Sequence, residues 1–282
     1  MSDGELDGPV LDNHLHLDPD EGRGIEAVKE FDRAGGTHVL VVNKPSWHLG
    51  VEADEGEDFR AVFERTLGVV EAADEVLDGR AWPVLGVHPG LISRLVDERG
   101  FTAEEAGELM RAGLAVAAEY AADGPAVALK SGRPHYEVDD EVWAASNAVM
   151  RRAFELGGET GVAVQLHAES GEDFAEVAAW AEAAGLPARR VVKHYAPGRI
   201  EGPVPSVMSE KARLSTAAAA GEPFLMETDF VDDPDRPGAV MGPKTVPRRT
   251  RWLLREGHEE AVRTAHVETP SAVYGLDTRA TL

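Results

Sequence analysis

The sequence predicts an α/β fold, a (β/α)8 TIM barrel that spans residues 1–282 as a single domain. Short β-branched runs alternate with long alanine-rich helical segments about eight times, which is the pattern of parallel βαβ units. The chain has 282 residues, and α/β barrels use about 250 residues as one domain. No linker in the sequence is long enough to divide the chain into two domains.

The strands are predicted from short apolar runs that are rich in Val, Ile and Leu. In chain order they are Pro9–Leu17, Thr37–Lys44, Trp82–His88, Ala126–Ser131, Val162–Ala168, Arg190–Tyr195, Ala212–Ala217 and Phe224–Phe230. The seventh unit has the weakest pattern, because Gly202–Ser209 before it is rich in Pro and Ser.

The helices are predicted from longer segments with helix-entry and helix-exit signals. Thr102 is followed by Glu104 and Glu105, which fits an N-cap with acids in the first turn. Gly35-Gly36 closes the first helix. The predicted helices lie near Gly24–Ala34, Asp58–Leu77, Ala103–Ala122, Asp140–Leu156, Gly171–Ala184 and Pro247–Glu256.

Composition limits the class of protein. There is no cysteine, which excludes disulfides and thiolate ligands and fits a cytoplasmic protein. No apolar run reaches the roughly 18 residues of a membrane span, so no membrane partner is expected. The acidic start, Met1 to Pro9, predicts no signal peptide.

The charge balance is strongly acidic. The net charge is −23, from 51 Asp+Glu against 28 Lys+Arg. The acids are dispersed rather than gathered in a tail, which suggests adaptation to a high-salt cytoplasm, where self-repulsion is screened within about 3 Å. A broad acidic surface repels nucleic acid. Any action on nucleic acid is therefore expected to use a metal centre and a few local cations.

Histidines and one carboxylate stand at the predicted strand ends. His14 and His16 are two residues apart, so they point to the same face of the first strand. This pair alone is a weak signal. The active site of such a barrel is built at the carboxyl ends of its strands. The sequence therefore predicts a metal site there, to which further strands bring His88, His167, His194 and Asp229.

These residues resemble those of the TatD-type metal-dependent hydrolases of the amidohydrolase superfamily. The resemblance extends over nearly the whole chain, from His14-Leu15-His16 through Gly86-Val87-His88-Pro89 to Glu227-Thr228-Asp229. The segments Asn43-Lys44-Pro45 and Gly132-Arg133-Pro134-His135 resemble an archaeal branch of the family. The resemblance implies one metal ion on His14, His16 and Asp229 and a second on His167 and His194.

Lys130 departs from the family pattern, since the family's fourth strand usually supplies a bridging Glu. Three alternatives are open. Lys130 is carboxylated, as in other branches of the superfamily, and its carbamate bridges two metals. Or Lys130 stays cationic and replaces one ion, leaving a single metal on His14, His16 and Asp229. Or the chain has lost activity and is a binding protein.

The expected activity is that of a divalent-metal-dependent hydrolase with one or two ions, Zn, Mn or Mg. A metal-bound hydroxide is the expected nucleophile, with Asp229 as the catalytic general base. The leading substrate is a phosphoester, including DNA ends, which would make the protein a nuclease. The alternative is amide, lactone or phosphotriester hydrolysis with a carboxylated Lys130.

Four further residues near strand ends are predicted to bind substrate: His88, Arg133, His135 and Lys44. Arg133 suits two oxygens of one anion, although Arg133 and Lys44 are equally suited to salt bridges with loop acids. His38, His258 and His266 lie away from these strand ends and are assigned no catalytic role. The chain is expected to be a monomer or a small homo-oligomer.

Overall fold

The strands of this protein form one parallel sheet in the computed structural model, which describes residues 8–18, 20–235 and 240–280. Residues 1–7, part of the acidic start used to predict the absence of a signal peptide, lie outside the described residues. The strands are β1 Leu11–His16, β2 His38–Val42, β3 Ala81–Gly86, β4 Ala128–Gly132, β5 Ala163–His167, β6 Val191–Ala196, β7 Val204–Met208, β8 Leu225–Glu227 and β9 Phe230–Val231.

Neighbouring strands follow chain order from β8 back to β1, and β9 lies beside β1. All pairings are parallel. The sheet curls, so that β8 contacts β1. At this junction the carboxylate of Asp12 accepts hydrogen bonds from the backbone N and Oγ1 of Thr228, at 3.0 and 2.6 Å. An α/β fold with a curled parallel sheet therefore agrees with the prediction.

The helices connect the strands and cover the outside of the sheet. They are α1 Ile25–Arg33, α2 Arg60–Leu77, α3 Leu91–Ser93, α4 Ala103–Ala122, α5 Asp140–Thr160, α6 Ala175–Ala183, α7 Lys211–Ala220, α8 Thr245–Arg255, α9 Glu259–Arg263 and α10 Thr269–Tyr274. The predicted cap of α4 is confirmed, because Thr102 Oγ1 accepts from Glu105 N while the Glu105 carboxylate accepts from Thr102 N.

The predicted seventh strand was wrong. Ala212–Ala217 lies within helix α7, and the strand is Val204–Met208 in the segment rich in Pro and Ser. Alanine favours helices, and Leu214 and Ala217 of α7 are buried against the rest of the protein. Ser206 is a polar residue in the middle of the true strand, yet it is fully buried because its hydroxyl contacts Asn13 and Glu227.

The predicted eighth strand is interrupted. Phe224–Phe230 was expected to be continuous, but β8 ends at Glu227 and β9 begins at Phe230. Asp229 has φ 47°, the left-handed conformation that a β-strand cannot hold. Its backbone N donates to the carbonyl of His14 at 3.0 Å. The break therefore turns the Asp229 side chain toward the carboxyl end of β1.

The core explains the apolar pattern of the sequence. Leu11, Leu40, Val84 and Val192 form a buried cluster contributed by different strands. A larger cluster, mostly of aliphatic side chains, joins residues of the strands to residues of the surrounding helices. Strands covered on both faces read as nearly continuous apolar runs. Among the described residues, no helix combines the length and the apolar character that crossing a membrane requires.

Candidate metal centre

The predicted site residues converge at the carboxyl end of the sheet. His14 and His16 lie at the end of β1, His167 ends β5 and His194 lies near the end of β6. The rings of His14 and His194 stack with centroids 4.1 Å apart, and those of His167 and His194 are 5.0 Å apart. Strands that are distant in sequence thus bring their imidazoles into one cluster.

One set of ligand atoms comes from His14, His16 and Asp229. The Nε2 atoms of His14 and His16 lie 3.9 and 3.8 Å from Oδ1 of Asp229. Ligand atoms of these three residues all lie within 4.8 Å of one another, a spacing that can hold a metal ion. Two imidazoles and a carboxylate suit Zn or Mn, and the carboxylate extends the choice toward Mg.

Hydrogen bonds orient the two histidines of β1 for this role. Nδ1 of His14 lies 2.7 Å from Oε1 of Gln165, and Nδ1 of His16 lies 2.9 Å from the carbonyl of Val42. Both partners are acceptors, so each Nδ1 carries the proton and each Nε2 keeps its lone pair. Neighbours of this kind fix the tautomer and ring orientation of metal-binding histidines.

A second set of ligand atoms comes from His14, His194 and Glu227. Oε1 of Glu227 lies 3.3 Å from Nδ1 of His194 and accepts from the backbone N of Tyr195 at 2.6 Å, while Oε2 accepts from the Ser206 hydroxyl. Glu227 is fully buried, and burial raises its pKa well above the usual range. The carboxylate is thus positioned behind His194.

His167 joins this cluster through other imidazoles. Its Nδ1 lies 2.9 Å from Nε2 of His194, and its Nε2 lies 2.8 Å from Nδ1 of His135. Within the parts of the chain that the structure describes, His167 belongs to neither of the sets able to hold a metal. The pairing of His167 with His194 as ligands of a second ion therefore stays a prediction.

Lys130 lies inside the cluster. It is 2% exposed, and Nζ is 3.2 Å from Nε2 of His14. Burial lowers the pKa of Lys130 to about 7, against the opposing effect of Asp229 and Glu227. Burial also raises the pKa of Asp229 to about 6, against the opposing effect of Lys130. The chain therefore places an amine beside His14, the residue that both ligand sets share.

The histidines of the cluster are held neutral. Burial lowers the pKa of His14, His167 and His194 well below the usual value, and the charge of Lys130 lowers each of them further. Burial lowers the pKa of His16 to about 3. Neutral imidazole is the form that binds metal ions, so the site is prepared for metal binding near neutral pH.

Two of the residues predicted to bind substrate, Lys44 and Arg133, already form hydrogen bonds and ion pairs with other residues of the protein. Nζ of Lys44 donates to Oδ2 of Asp18 at 2.5 Å and to the carbonyl of Asp232 at 2.9 Å. Arg133 contacts both carboxylate oxygens of Glu169, donates to Asn147 Oδ1, and stacks its guanidinium 4.5 Å from the Trp143 ring centroid. A substrate role for either cation stays a prediction.

The two predicted substrate-binding histidines lie at the open side of the cluster. His88 is half-buried, 4.8 Å from the His167 ring between centroids, and its Nδ1 accepts from Gly90 N at 3.0 Å. His88 therefore carries its proton on Nε2. His135 is exposed next to His167. Both positions suit a group that meets substrate, although their role stays a prediction.

Sequence reasoning assigned no role to Glu227, Asp12 or Gln165. Glu227 and Asp12 stand two residues before Asp229 and His14, so the period of two along a strand is the signal that could have found them. Asp12 is fully buried, and burial raises its pKa to about 7. Gln165 stands two residues before His167, yet only the contact with His14 shows its function.

The fold and the cluster define an α/β protein with a histidine- and carboxylate-rich site able to hold metal. The sequence model of TatD-related DNases matches residues 11–275, and the chain belongs to that family. A protein of Methanocaldococcus jannaschii is 34% identical over 281 residues, which cover 95% of this chain and 96% of that protein.

Solved structures show the same fold at low sequence identity. An organophosphorus hydrolase from Deinococcus radiodurans matches with a TM-score of 0.61 and 15% identity, covering 96% of this chain and 94% of that one. A mutant of a phosphotriesterase-like lactonase from Deinococcus radiodurans matches with a TM-score of 0.63 and 14% identity, covering 96% and 97%. At this identity the likeness shows the fold.

Proposed function

We propose that this protein is a divalent-metal-dependent hydrolase of phosphoester bonds, and that nucleic acid is its substrate. The observation that carries the proposal is the convergence of His14, His16 and Asp229 at the carboxyl end of the sheet, within ligand distance of one another. Membership of the TatD-related DNase family supports the same chemistry. We further infer that the curled sheet is a (β/α)8 barrel of one domain.

The ligand set of His14, His16 and Asp229 fits Zn, Mn or Mg, because it consists of two neutral imidazoles and one carboxylate oxygen. A divalent ion bound there would acidify a water molecule and polarise the scissile bond. His14 and His16 would hold it through Nε2, and Asp229 through Oδ1. Asp229 would also accept the proton of the attacking water and return it to the leaving group.

Two exposed rings beside the cluster suit the bases of a nucleic acid. Tyr136 and Tyr195 are each 43% exposed, and they directly follow His135 and His194 in sequence. The hydroxyl of Tyr136 donates to Ser93, and the Tyr195 ring lies 5.2 Å from the Arg213 guanidinium. Aromatic faces near a site stack unpaired bases of any sequence.

Lys130 supports a second candidate, an amide, lactone or phosphotriester hydrolase in which a carboxylated Lys130 bridges two ions. Its amine is buried 3.2 Å from His14 Nε2, where a carbamate would offer oxygen ligands to both sets. The fold likeness to a phosphotriesterase-like lactonase agrees with this candidate. A non-catalytic binding protein is the third, and the intact ligand set argues against it.

An activity panel separates the three candidates. Metal-free protein is supplied with Mn, Mg, Zn or Co and assayed with a DNA oligonucleotide, bis(p-nitrophenyl) phosphate and a lactone. Metal-dependent cleavage of the first two supports the proposal, and turnover of the lactone alone favours the second candidate. Ligand binding without turnover of any substrate, unchanged in a His14→Ala variant, would support the third.

Asp229 is tested by the Asp229→Asn variant. The amide cannot take up the proton, so we expect kcat to fall by about 10²- to 10⁴-fold. Asp233→Asn, four residues along the chain, removes the same charge outside the ligand set and is expected to keep full activity. Equal activity of both variants would contradict the assigned role.

We also infer that the protein works in the cytoplasm of an archaeon that accumulates salt, as a monomer or a small homo-oligomer. The dispersed net charge of −23 supports the salt adaptation, and the absence of cysteine agrees with a reducing compartment.

A further inference from the structure

A strongly basic cavity lies on the outside of the protein, between helices α1 and α8. Its volume is about 880 Å³. Within the described part of the chain, eight Lys and Arg side chains line it, together with a single acid, Glu30. The chain holds only 28 Lys+Arg against 51 Asp+Glu. A cluster of cations on one surface is therefore unusual for a protein with such an excess of acidic residues.

Four of these cations form a stripe along α8 and the residue that precedes it. Lys244, Arg248, Arg251 and Arg255 follow the spacing i, i+4, i+7 and i+11, which places them on one face of the helix. With a rise of 1.5 Å per residue, the stripe is about 16 Å long. We call these four residues the basic stripe.

The basic stripe is poorly neutralised. Glu30 pairs with Lys244 and with Arg23. Within residues 8–18, 20–235 and 240–280, the structure pairs no carboxylate with Arg248, Arg251 or Arg255. Other surface arginines of this acid-rich protein form salt bridges with carboxylates, as Arg60 and Arg152 do. The remaining positive charge is therefore available to an external anion.

Hydrogen bonds connect one loop of the cavity lining to the rim that carries the metal-ligand sets. The carboxylate of Asp232 accepts hydrogen bonds from Arg23 N at 2.8 Å and from Asp18 N at 3.1 Å. Asp232 N in turn donates to the carbonyl of His16 at 3.1 Å. The loop that carries Arg23 into the cavity is thus fixed to the strand end that carries a metal ligand.

We propose that the cavity and its basic stripe bind the phosphate backbone of a nucleic acid whose scissile bond lies at the metal centre. Successive phosphates of one strand advance by about 3.4 Å along a duplex, so the stripe faces roughly five of them. Arginine suits this task because its planar guanidinium can contact two phosphate oxygens at once. The proposal rests on the proposed phosphoester hydrolysis and extends it to a long substrate.

The composition of the cavity argues against a lipid surface. Among the residues that the structure describes, its only apolar lining residues are Ala34 and Trp252, and Lys211 lies 5.3 Å above the Trp252 ring. A membrane-binding surface needs apolar side chains that enter the lipid beside its cations. A nucleic acid backbone needs only the cations. An acidic protein is a different class of partner, and competition by polyglutamate tests for it.

Binding is measured on metal-free protein, so that it does not depend on catalysis. The probe is a fluorescein-labelled oligothymidylate of about 20 nucleotides, alone and paired with oligoadenylate, at several KCl concentrations over which circular dichroism shows an unchanged fold. The variant is Arg248→Gln/Arg251→Gln/Arg255→Gln. The matched control is Arg60→Gln/Arg152→Gln/Arg263→Gln, which removes the same charge from other exposed helix faces.

We expect the stripe variant to weaken binding at least about tenfold, and the slope of log K against log[salt] to flatten by about 2 for the single strand. The control variant should change the slope little. Wild-type affinity in the stripe variant, equal loss in the control, or equal competition by polyglutamate would overturn the proposal.

A second assay separates this proposal from the proposed function. Metal-loaded wild type and stripe variant are compared on bis(p-nitrophenyl) phosphate, which is too short to reach α8, and on the oligonucleotide. The stripe proposal expects equal turnover of the small ester and slower cleavage of the oligonucleotide. If neither substrate is cleaved by the wild type, the hydrolase proposal fails while the binding result still decides the stripe proposal.

Discussion

The amine of Lys130 is buried 3.2 Å from Nε2 of His14, the residue that both sets of ligand atoms share. A protonated amine there would donate to the lone pair that His14 offers to a metal ion. Burial lowers the pKa of Lys130 to about 7, which favours the neutral amine over the protonated one. Neutral amine is also the form that adds to CO₂, with loss of a proton, to give a carbamate.

This relationship predicts that metal content depends on bicarbonate. If Lys130 is carboxylated, protein reconstituted with Mn or Zn at pH about 8 should bind about one more ion per chain with bicarbonate than without it, because the carbamate supplies bridging oxygens. Lys130→Glu should bind the additional ion without bicarbonate. Metal analysis and intact-mass measurement check this.

The single-metal alternative predicts the opposite result. One ion per chain under both conditions, with an unmodified mass, would exclude the carbamate and leave Lys130 as a cation beside one metal. Lys130→Met serves as the control in both cases, since it has similar length and can neither carry a charge nor form a carbamate.

The sequence predicted where the candidate site residues lie in the fold better than it predicted the strands that carry them. His14, His16, His194 and Asp229 were placed correctly at one end of the sheet, because residues at the carboxyl ends of parallel strands meet there. Strand β7 was missed, since its buried Ser206 serves Glu227 and Asn13 rather than an apolar core. When the hydrogen-bond partners of a buried polar residue lie far away in the sequence, the neighbouring residues do not indicate that it is buried in a strand.

The cations at the rim show a second limit of sequence reasoning. Arg133 and Lys44 carry the charge expected of anion-binding residues, yet Glu169 and Asp18 contact them in the fold. The arginines of the basic stripe were not singled out, because α8 has an ordinary helical pattern. Whether a cation is neutralised depends on which loops and helices lie beside it in the fold, and the sequence does not identify them.

The contact between Gln165 and His14 predicts a defect in metal affinity. In Gln165→Leu, Nδ1 of His14 loses its acceptor at 2.7 Å, so the ring and its tautomer are no longer fixed. Loss of such a partner typically weakens metal binding by about 10- to 100-fold. Competitive titration with a fluorescent chelator measures the affinity.

Gln165→Glu is the matched variant, because its carboxylate still accepts the hydrogen bond from His14. It loses the amide donors to the Asn13 carbonyl and the Tyr274 hydroxyl, as the Leu variant also does. We therefore expect the Glu variant to bind metal more tightly than the Leu variant. Equal affinities would show that orientation of His14 is not the cause.

His266 predicts a loss of stability in acid. It is fully buried, Nδ1 accepts from Leu11 N at 3.1 Å, and Nε2 lies 2.9 Å from Thr250 Oγ1. Burial lowers its pKa from 6.5 to about 3, and the charge of His38 acts in the same direction. The unfolded chain therefore binds one more proton than the native protein between these pH values, and stability falls as pH decreases through this range.

The contribution of His266 is about 1.4 kcal/mol per pH unit below pH 6.5. In His266→Gln the amide oxygen can accept from Leu11 N, and the titrating group is absent. Urea unfolding at pH about 7 and about 5 should show a smaller acid loss in the variant than in the wild type, by roughly 2 kcal/mol. The same loss in both proteins would exclude His266 as a source of acid sensitivity.

The net charge of −23 predicts that salt stabilises the fold. At 0.1 M salt, charges interact over about 10 Å, and at 1 M over about 3 Å. Repulsion among carboxylates is stronger in the compact native state than in the extended chain, so screening favours folding. We expect the free energy of unfolding to rise by several kcal/mol between about 0.1 and 2 M KCl. Each kcal/mol should raise Tm by about 2–4 °C.

Screening and general exclusion of solutes from the protein surface make different predictions for this increase. Screening is largely complete by about 1 M KCl, whereas the effect of an excluded solute such as sucrose keeps growing with its concentration. Most of the gain in Tm should therefore occur below about 1 M KCl, and sucrose of equal osmolality should reproduce little of it. An equal Tm in dilute and concentrated KCl would contradict the inferred adaptation to high salt and leave the acidic surface without that explanation.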